Sequence, residues 1–176
     1  MRLRTAARSL AVLAGVTTLA LGAVAPASAA QPTSLGTYVR FINKNSGKCL
    51  EIADWRKDNG APARQWDCTG GANQLWEEIG DVGDHGIRYY RNVNSQQCLE
   101  IGGLNASNGA TANQWPCNWG GNQIWLDRTN KLQADAAYWP AAVGKCLEIA
   151  DWRTDNGAPA RLWDCTNGAN QGWQIV

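Results

Sequence analysis

CLEIADWRKDNGAPARQWDCTGGANQLW, residues 49–76, returns almost unchanged as CLEIADWRTDNGAPARLWDCTNGANQGW at residues 146–173. The two copies differ at four of 28 positions. A looser third copy, CLEIGGLNASNGATANQWPCNWGGNQIW, lies between them at residues 98–125 and keeps the cysteine, tryptophan and glutamine frame. The first cysteines of the copies, Cys49, Cys98 and Cys146, stand 49 and 48 residues apart. A period of that length is one supersecondary unit that buries its apolar face only against its neighbours. The chain is a threefold repeat, and whatever it does is expected three times over.

Working outward from the first copy, TYVRFIN at residues 37–43 alternates apolar and polar side chains and is rich in β-branched and aromatic residues, as a strand requires. Asn45, Ser46 and Gly47 turn the chain, and Cys49 to Ala53 makes a second strand. Asp58-Asn59-Gly60 is a strong turn signal, Ala63 to Asp67 a third strand, and a fourth begins in Gln74-Leu75-Trp76. Asn108-Gly109 and Asn156-Gly157 mark the equivalent turns of the other copies. Four short strands per repeat, about twelve in all, and no long amphipathic helical pattern place the chain in the all-β class. Three units are too few for an ordinary propeller and no polar cap for a solenoid is evident, which leaves a closed threefold barrel without exposed sheet edges.

The first residues read differently. Arg2, Arg4 and Arg8 precede an apolar run from Leu10 to Val24 and the small residues Ala27-Ser28-Ala29, the pattern of a secretory signal peptide over residues 1–29. A short lead-in follows at 30–36, and one domain at 37–176, with repeats at about 37–79, 87–127 and 131–176. The apolar run is too short and too interrupted for a membrane span, so a secreted, extracellular, monomeric protein without membrane insertion is expected. Without the three leader arginines, thirteen basic residues face fifteen acidic ones, a balance that does not favour nucleic acid.

Six cysteines in an exported chain read as disulfides, and each repeat holds two cysteines 19 positions apart. Three local bridges are expected: Cys49 to Cys68, Cys98 to Cys117 and Cys146 to Cys165. A metal site is not, since His85 is the only histidine and no close Cys-x-x-Cys pair occurs; no cofactor is implied. For an enzyme the sequence offers little. It has no nucleophile elbow, no His-Glu-x-x-His and no phosphate loop. The acids Glu77-Glu78, or Glu51 with Asp54, are the available candidates for glycoside hydrolysis, but neighbouring acids on a strand face opposite ways. The expectation is no catalysis.

The Cys-Leu-Glu-Ile start, the Asn-Gly turn, Trp-Asp-Cys, and Gln-x-Trp at Gln74 to Trp76, Gln123 to Trp125 and Gln171 to Trp173 together resemble the ricin B-chain-type lectins, over nearly the whole chain after the leader. The resemblance implies a β-trefoil, three four-stranded repeats in pseudo-threefold symmetry, that binds galactose-containing or xylan-type glycans through pockets in its repeats. It implies a platform aromatic at Trp66, Trp115 and Trp163. The amides that bond sugar hydroxyls match Asn73, Asn122 and Asn170, supported by Gln74, Gln123 and Gln171. The carboxylate position holds Glu51, Glu100 and Glu148 where the family usually has Asp. The position often Gln in the family is Arg64, Asn113 and Arg161. Two readings of this departure stay open: Glu51 with Arg64 and Glu148 with Arg161 pair with each other across strands, or the carboxylate and the guanidinium both serve sugar hydroxyls.

The ten tryptophans divide. Trp76, Trp125 and Trp173 are expected in the core, Trp66, Trp115 and Trp163 as stacking platforms, and Trp55 and Trp152 at the pocket rim. Trp119 and Trp139 have no repeat counterpart. Repeat two carries Gly102-Gly103-Leu104-Asn105 in place of Ala-Asp-Trp-Arg, so its pocket wall is expected to differ, while repeats one and three bind alike. The competing reading is a non-catalytic trefoil that binds protein through a projecting loop outside the repeats, at Ile79 to Gly86 or Lys131 to Ala142.

Overall fold

The computed structural model describes residues 36–81, 87–128, 130–134 and 139–176. The signal peptide read over 1–29, the lead-in up to residue 35 and His85 lie outside them. The run from Thr37 to Asn43 forms two strands, β1 (Thr37–Val39) and β2 (Phe41–Asn43), because it serves two partners. In repeat one they are followed by β3 (Cys49–Ile52), β4 (Ala63–Trp66) and β5 (Trp76–Asp81). Repeat two contains β6 (Ile87–Asn92), β7 (Cys98–Ile101), β8 (Ala112–Trp115) and β9 (Trp125–Arg128). Repeat three contains β10 (Lys131–Ala134), β11 (Lys145–Ile149), β12 (Ala160–Asp164) and β13 (Trp173–Ile175).

Every pairing is antiparallel. The β1–β5, β5–β6, β6–β9 and β9–β10 ladders run around a barrel, and β13 pairs with β2 so that the last strand meets the first. The remaining seam is bridged where Trp173 N–H donates to the Asn130 carbonyl at 2.8 Å. Hairpins β3–β4, β7–β8 and β11–β12 form a second tier. They lean on one another in a triangle through the bridges Pro62 to Asn113, Thr111 to Arg161 and Arg64 to Pro159. With β1 and β2 counted as one interrupted strand, six barrel strands under three hairpins, repeated about a threefold axis, make a β-trefoil.

Symmetry decides the core. Trp76, Trp125 and Trp173 are buried at equivalent positions, and each indole N–H donates to the carbonyl of the leucine after the first cysteine: Leu50 at 3.2 Å, Leu99 at 3.1 Å and Leu147 at 3.1 Å. One residue thus fills volume and satisfies its only polar atom, which buried tryptophan demands. Leu50, Ile52, Leu99, Ile101, Leu147 and Ile149 pack around them, and Trp139, which has no repeat counterpart, is buried in the same cluster. Disulfides Cys49 to Cys68, Cys98 to Cys117 and Cys146 to Cys165 tie the hairpins' outer ends. In the chain-entropy account a loop of this length stabilises by about 3 kcal/mol.

Three strand boundaries differ from the sequence reading. Ala53 leaves β3 because Ala53–Trp55 is a 3-10 turn in which Asp54 and Trp55 take φ of 55° and 56°. Trp66 ends β4, one residue short of Asp67. The fourth strand starts at Trp76 and not at Gln74, since Ala72–Gln74 is another 3-10 turn. There the Gln74 side chain donates to the Asp67 carbonyl at 2.8 Å and accepts from Thr69 N–H at 2.8 Å. At Asp67 and Gln74, side-chain bonds to nearby backbone took residues that the alternating pattern alone assigned to ladders; at Ala53 the left-handed pair Asp54 and Trp55 ends the strand.

Candidate functional site

Each hairpin and the turn that follows it enclose one pocket. In repeat one Glu51 on β3 and Arg64 on β4 are directly opposed in register, which brings residues 13 apart in sequence face to face. Arg64 Nε donates to Glu51 Oε1 at 3.0 Å, and its Nη2 reaches Asp54 Oδ1 at 2.8 Å. The other carboxylate oxygen, Glu51 Oε2, accepts from Asn73 Nδ2 and Gln74 Nε2, both at 3.1 Å. The guanidinium carbon of Arg64 lies 4.4 Å from the centre of the Trp66 ring. The pocket that remains, about 220 Å³, is walled by Trp55, Thr69 and Asn73 besides these residues.

Repeat three reproduces this atom for atom. Arg161 donates to Glu148 and to Asp151, both at 2.9 Å, and covers Trp163 at 4.3 Å. Glu148 Oε2 accepts from Asn170 at 3.3 Å and from Gln171 at 3.0 Å, and the pocket measures about 190 Å³. Of the two open readings of the glutamate and arginine positions, the pairing one is what both pockets contain. The platform tryptophans expected at 66 and 163 are therefore covered by the protein's own cation. Lifting it off would forfeit a cation–π contact of about 0.5–2 kcal/mol and the charge-assisted hydrogen bond to the buried Glu51 or Glu148, about 1.5–3 kcal/mol. A ligand bound at about millimolar strength has only about 4 kcal/mol in total.

The turn supplies the rim. Asp54 and Trp55, like Asp151 and Trp152, are non-glycine residues in the left-handed region, a conformation that costs energy and swings the tryptophan back over the pocket. The Trp55 ring lies against Gly71, where a Cβ would come within 2.7 Å of it, and Trp152 lies likewise against Gly168. No larger residue fits there. Asn73 Oδ1 and Asn170 Oδ1 are buried beneath this lid and accept no hydrogen bond within the described residues. Asp151, Thr69 and Thr166 enter the pockets unforeseen, while Asp54, weighed beside Glu51 only as a candidate hydrolytic acid, enters as the second partner of Arg64.

Repeat two keeps the frame and loses the cover. Glu100 Oε2 accepts from Asn122 at 3.2 Å and Gln123 at 3.1 Å, as in its sister pockets. Opposite Glu100 stands Asn113, and beside it Gly102 and Gly103 replace the alanine and aspartate. A Cβ on Gly102 would fall 2.6 Å from Asn113 Nδ2, so the glycine makes room for the amide. No cation lines the pocket, and burial raises the Glu100 carboxyl above its ordinary value, partly offset by the two amides. Trp115 is 41% exposed, and the cavity, bounded also by Leu104 and Asn118, is about 700 Å³.

Other described acids have partners outside the pockets. Glu77 and Glu78 pair with Arg91 and Arg88. Asp58 and Asp155 are held below the usual carboxylate range by the neighbouring Arg56 and Arg153, on exposed turns. Among the described residues no group of three or more His, Cys, Asp or Glu is placed to hold a metal ion, and no helix is long and apolar enough to cross a membrane.

A β-trefoil whose repeats each gather a carboxylate, an amide and a tryptophan at one pocket has the form of a lectin domain. The ricin-type beta-trefoil lectin domain model matches residues 37–173, and the chain belongs to that family. Among solved structures it is similar to the designed threefold-symmetric protein ThreeFoil, at 29% identity and TM-score 0.71, covering 79% of this chain and 97% of that one. It is also similar to 1,3Gal43A, an exo-β-1,3-galactanase from Clostridium thermocellum, at 30% identity and TM-score 0.71, over 80% of this chain but 30% of the enzyme. The C-half of an earthworm R-type lectin, solved with GalNAc, shares the fold at 19% identity and TM-score 0.60, covering 78% of this chain and 96% of that one. No curated protein sequence matches the chain significantly.

Proposed function

We propose that this is an exported carbohydrate-binding protein, a lectin without catalytic activity that recognises galactose-containing or xylan-type glycans through pockets in its repeats. The observation that carries the reading is the threefold convergence of glutamate, asparagine and tryptophan on one pocket per repeat. A pyranose offers an apolar C–H face to an aromatic ring and hydroxyls to a carboxylate and an amide, so these three groups are the minimum a sugar site needs. The leader at 1–29 and the three disulfides support export. The likeness to part of an exo-β-1,3-galactanase supports galactosides as the first ligands to try. The test is a glycan array with the leaderless protein, carrying galactosides and plant and microbial polysaccharides, followed by assay for released reducing sugar. Selective binding with no sugar release is the expected result. A blank array from a folded, fully disulfide-bonded sample would refute the reading and turn the search to protein partners.

A further inference from the structure

The geometry points to a division among the pockets: repeat two holds the working glycan site, it takes two or more linked uncharged sugars, and repeats one and three are closed by their own arginines. This rests on the carbohydrate-binding reading and sharpens it. The first ground is the platform. Trp115 is open, whereas Trp66 and Trp163 carry guanidinium groups at 4.4 and 4.3 Å. The second is the carboxylate. Both oxygens of Glu51 and Glu148 are engaged by side chains, but only Oε2 of Glu100 accepts a protein hydrogen bond, and the buried Asn113 Oδ1 beside it accepts none. In repeat two alone a carboxylate oxygen, Glu100 Oε1, stands ready for a sugar hydroxyl; the outer pockets leave unpaired only the Asn73 and Asn170 Oδ1 atoms buried beneath their tryptophans. With a carboxylate and no cation in the wall, an acidic sugar is disfavoured.

Size and rim complete the case. At about 700 Å³ the repeat-two cavity falls in the range of small-molecule sites, roughly 300–1,000 Å³, while its sisters at about 220 and 190 Å³ fall short of it. The rims also differ in what holds them. Gln114 Nε2 donates to the Arg56 and Asp58 carbonyls and Asn94 Nδ2 to the Trp55 carbonyl, fixing the first rim. Gln65 and Asn45 fix the third in the same way, through Arg153, Asp155 and Trp152. At the positions that would hold the rim of repeat two stand Leu162 and Ala142, which have no amide to give. The rim from Gly102 to Ser107 keeps only its local bonds, such as Ser107 N–H to Asn105 Oδ1 at 3.0 Å, and lacks the amide ties from another repeat that hold its sisters.

Calorimetric titration of the leaderless protein with galactose, β-1,3-galactobiose, xylose and xylobiose tests this. One site per chain is expected, with a disaccharide bound at least tenfold tighter than its monosaccharide. Binding should be lost in Asn122→Ala and in Asn113→Arg, which inserts the plug without emptying the pocket, and kept in the double variant Asn73→Ala with Asn170→Ala. Near-ultraviolet circular dichroism and melting identify any variant that has not folded, and Asn113→Arg carries the test if Asn122→Ala fails. Two or three equivalent sites, equal affinity for one and two sugars, or binding lost only in the double variant would overturn the division while leaving the lectin reading intact. No heat from any of the four sugars would overturn the division, and a blank array as well would take the lectin reading with it.

Discussion

Repeats one and three and repeat two hold the same glutamate, asparagine and glutamine in the same places, yet their pockets differ more than threefold in volume. The difference traces to the residue across the hairpin from the glutamate. An arginine there neutralises the buried carboxylate, lies on the tryptophan and recruits Asp54 or Asp151; an asparagine does none of these. Charge compensation and ligand access are thus in competition at one position. What stabilises the outer repeats is what occupies their platforms.

The comparison is broken most severely by removing the outer carboxylate. Glu51→Ala leaves Arg64 largely buried with only exposed Asp54 to pair with, and takes an acceptor from Asn73 and Gln74. A loss of about 2–4 kcal/mol in denaturant unfolding is expected, against about 1–2 kcal/mol for Glu100→Ala, which strands no cation. Equal losses would show that the arginine does not compensate the buried charge.

Conversion of the open pocket comes next. Replacing Gly102, Gly103, Leu104 and Asn113 with the Ala, Asp, Trp and Arg of its neighbours should give repeat two the cover of the others. Disaccharide affinity should then fall tenfold or more, about 1.4 kcal/mol, with little change in melting. Undiminished affinity would show that the plug does not govern access.

Acidity sharpens the contrast. Because burial raises the Glu100 carboxyl above its ordinary 4.5, the folded chain holds this proton more tightly than the unfolded one. Its contribution to stability is full below the ordinary value and is lost as pH rises through the raised one. Glu100→Gln should therefore melt above wild type at neutral pH, the gap closing as pH falls below the ordinary carboxylate range. A gap independent of pH would mean that Glu100 ionises without cost. Smallest of all, Asp54→Ala removes an exposed partner of Arg64 and should cost no more than about 0.5–1 kcal/mol.

Much of this was legible in the chain. The threefold period, the paired cysteines and the recurring Gln-x-Trp led to three disulfide-tied repeats with their tryptophans inside, and the fold has them. The candidate residues of each repeat do meet at one pocket. Less legible were the 3-10 turns at Ala53–Trp55 and Ala72–Gln74, because an alternating pattern records neither a left-handed pair such as Asp54 and Trp55 nor the bonds Gln74 makes to nearby backbone. Nor did Trp139 announce itself as core, having no counterpart to set it in a period.

The sequence by itself determined the architecture, since repetition and alternation are one-dimensional signals and a trefoil needs little more to close. Only the tertiary structure decided what each pocket contains. Whether Arg64 lies on Trp66 depends on the register that opposes it to Glu51 and on a left-handed turn that brings Asp54 to its far side. Whether a rim is held depends on amides from another repeat. Those contacts join residues from 10 to 90 positions apart, and their geometry exists only once the barrel has closed.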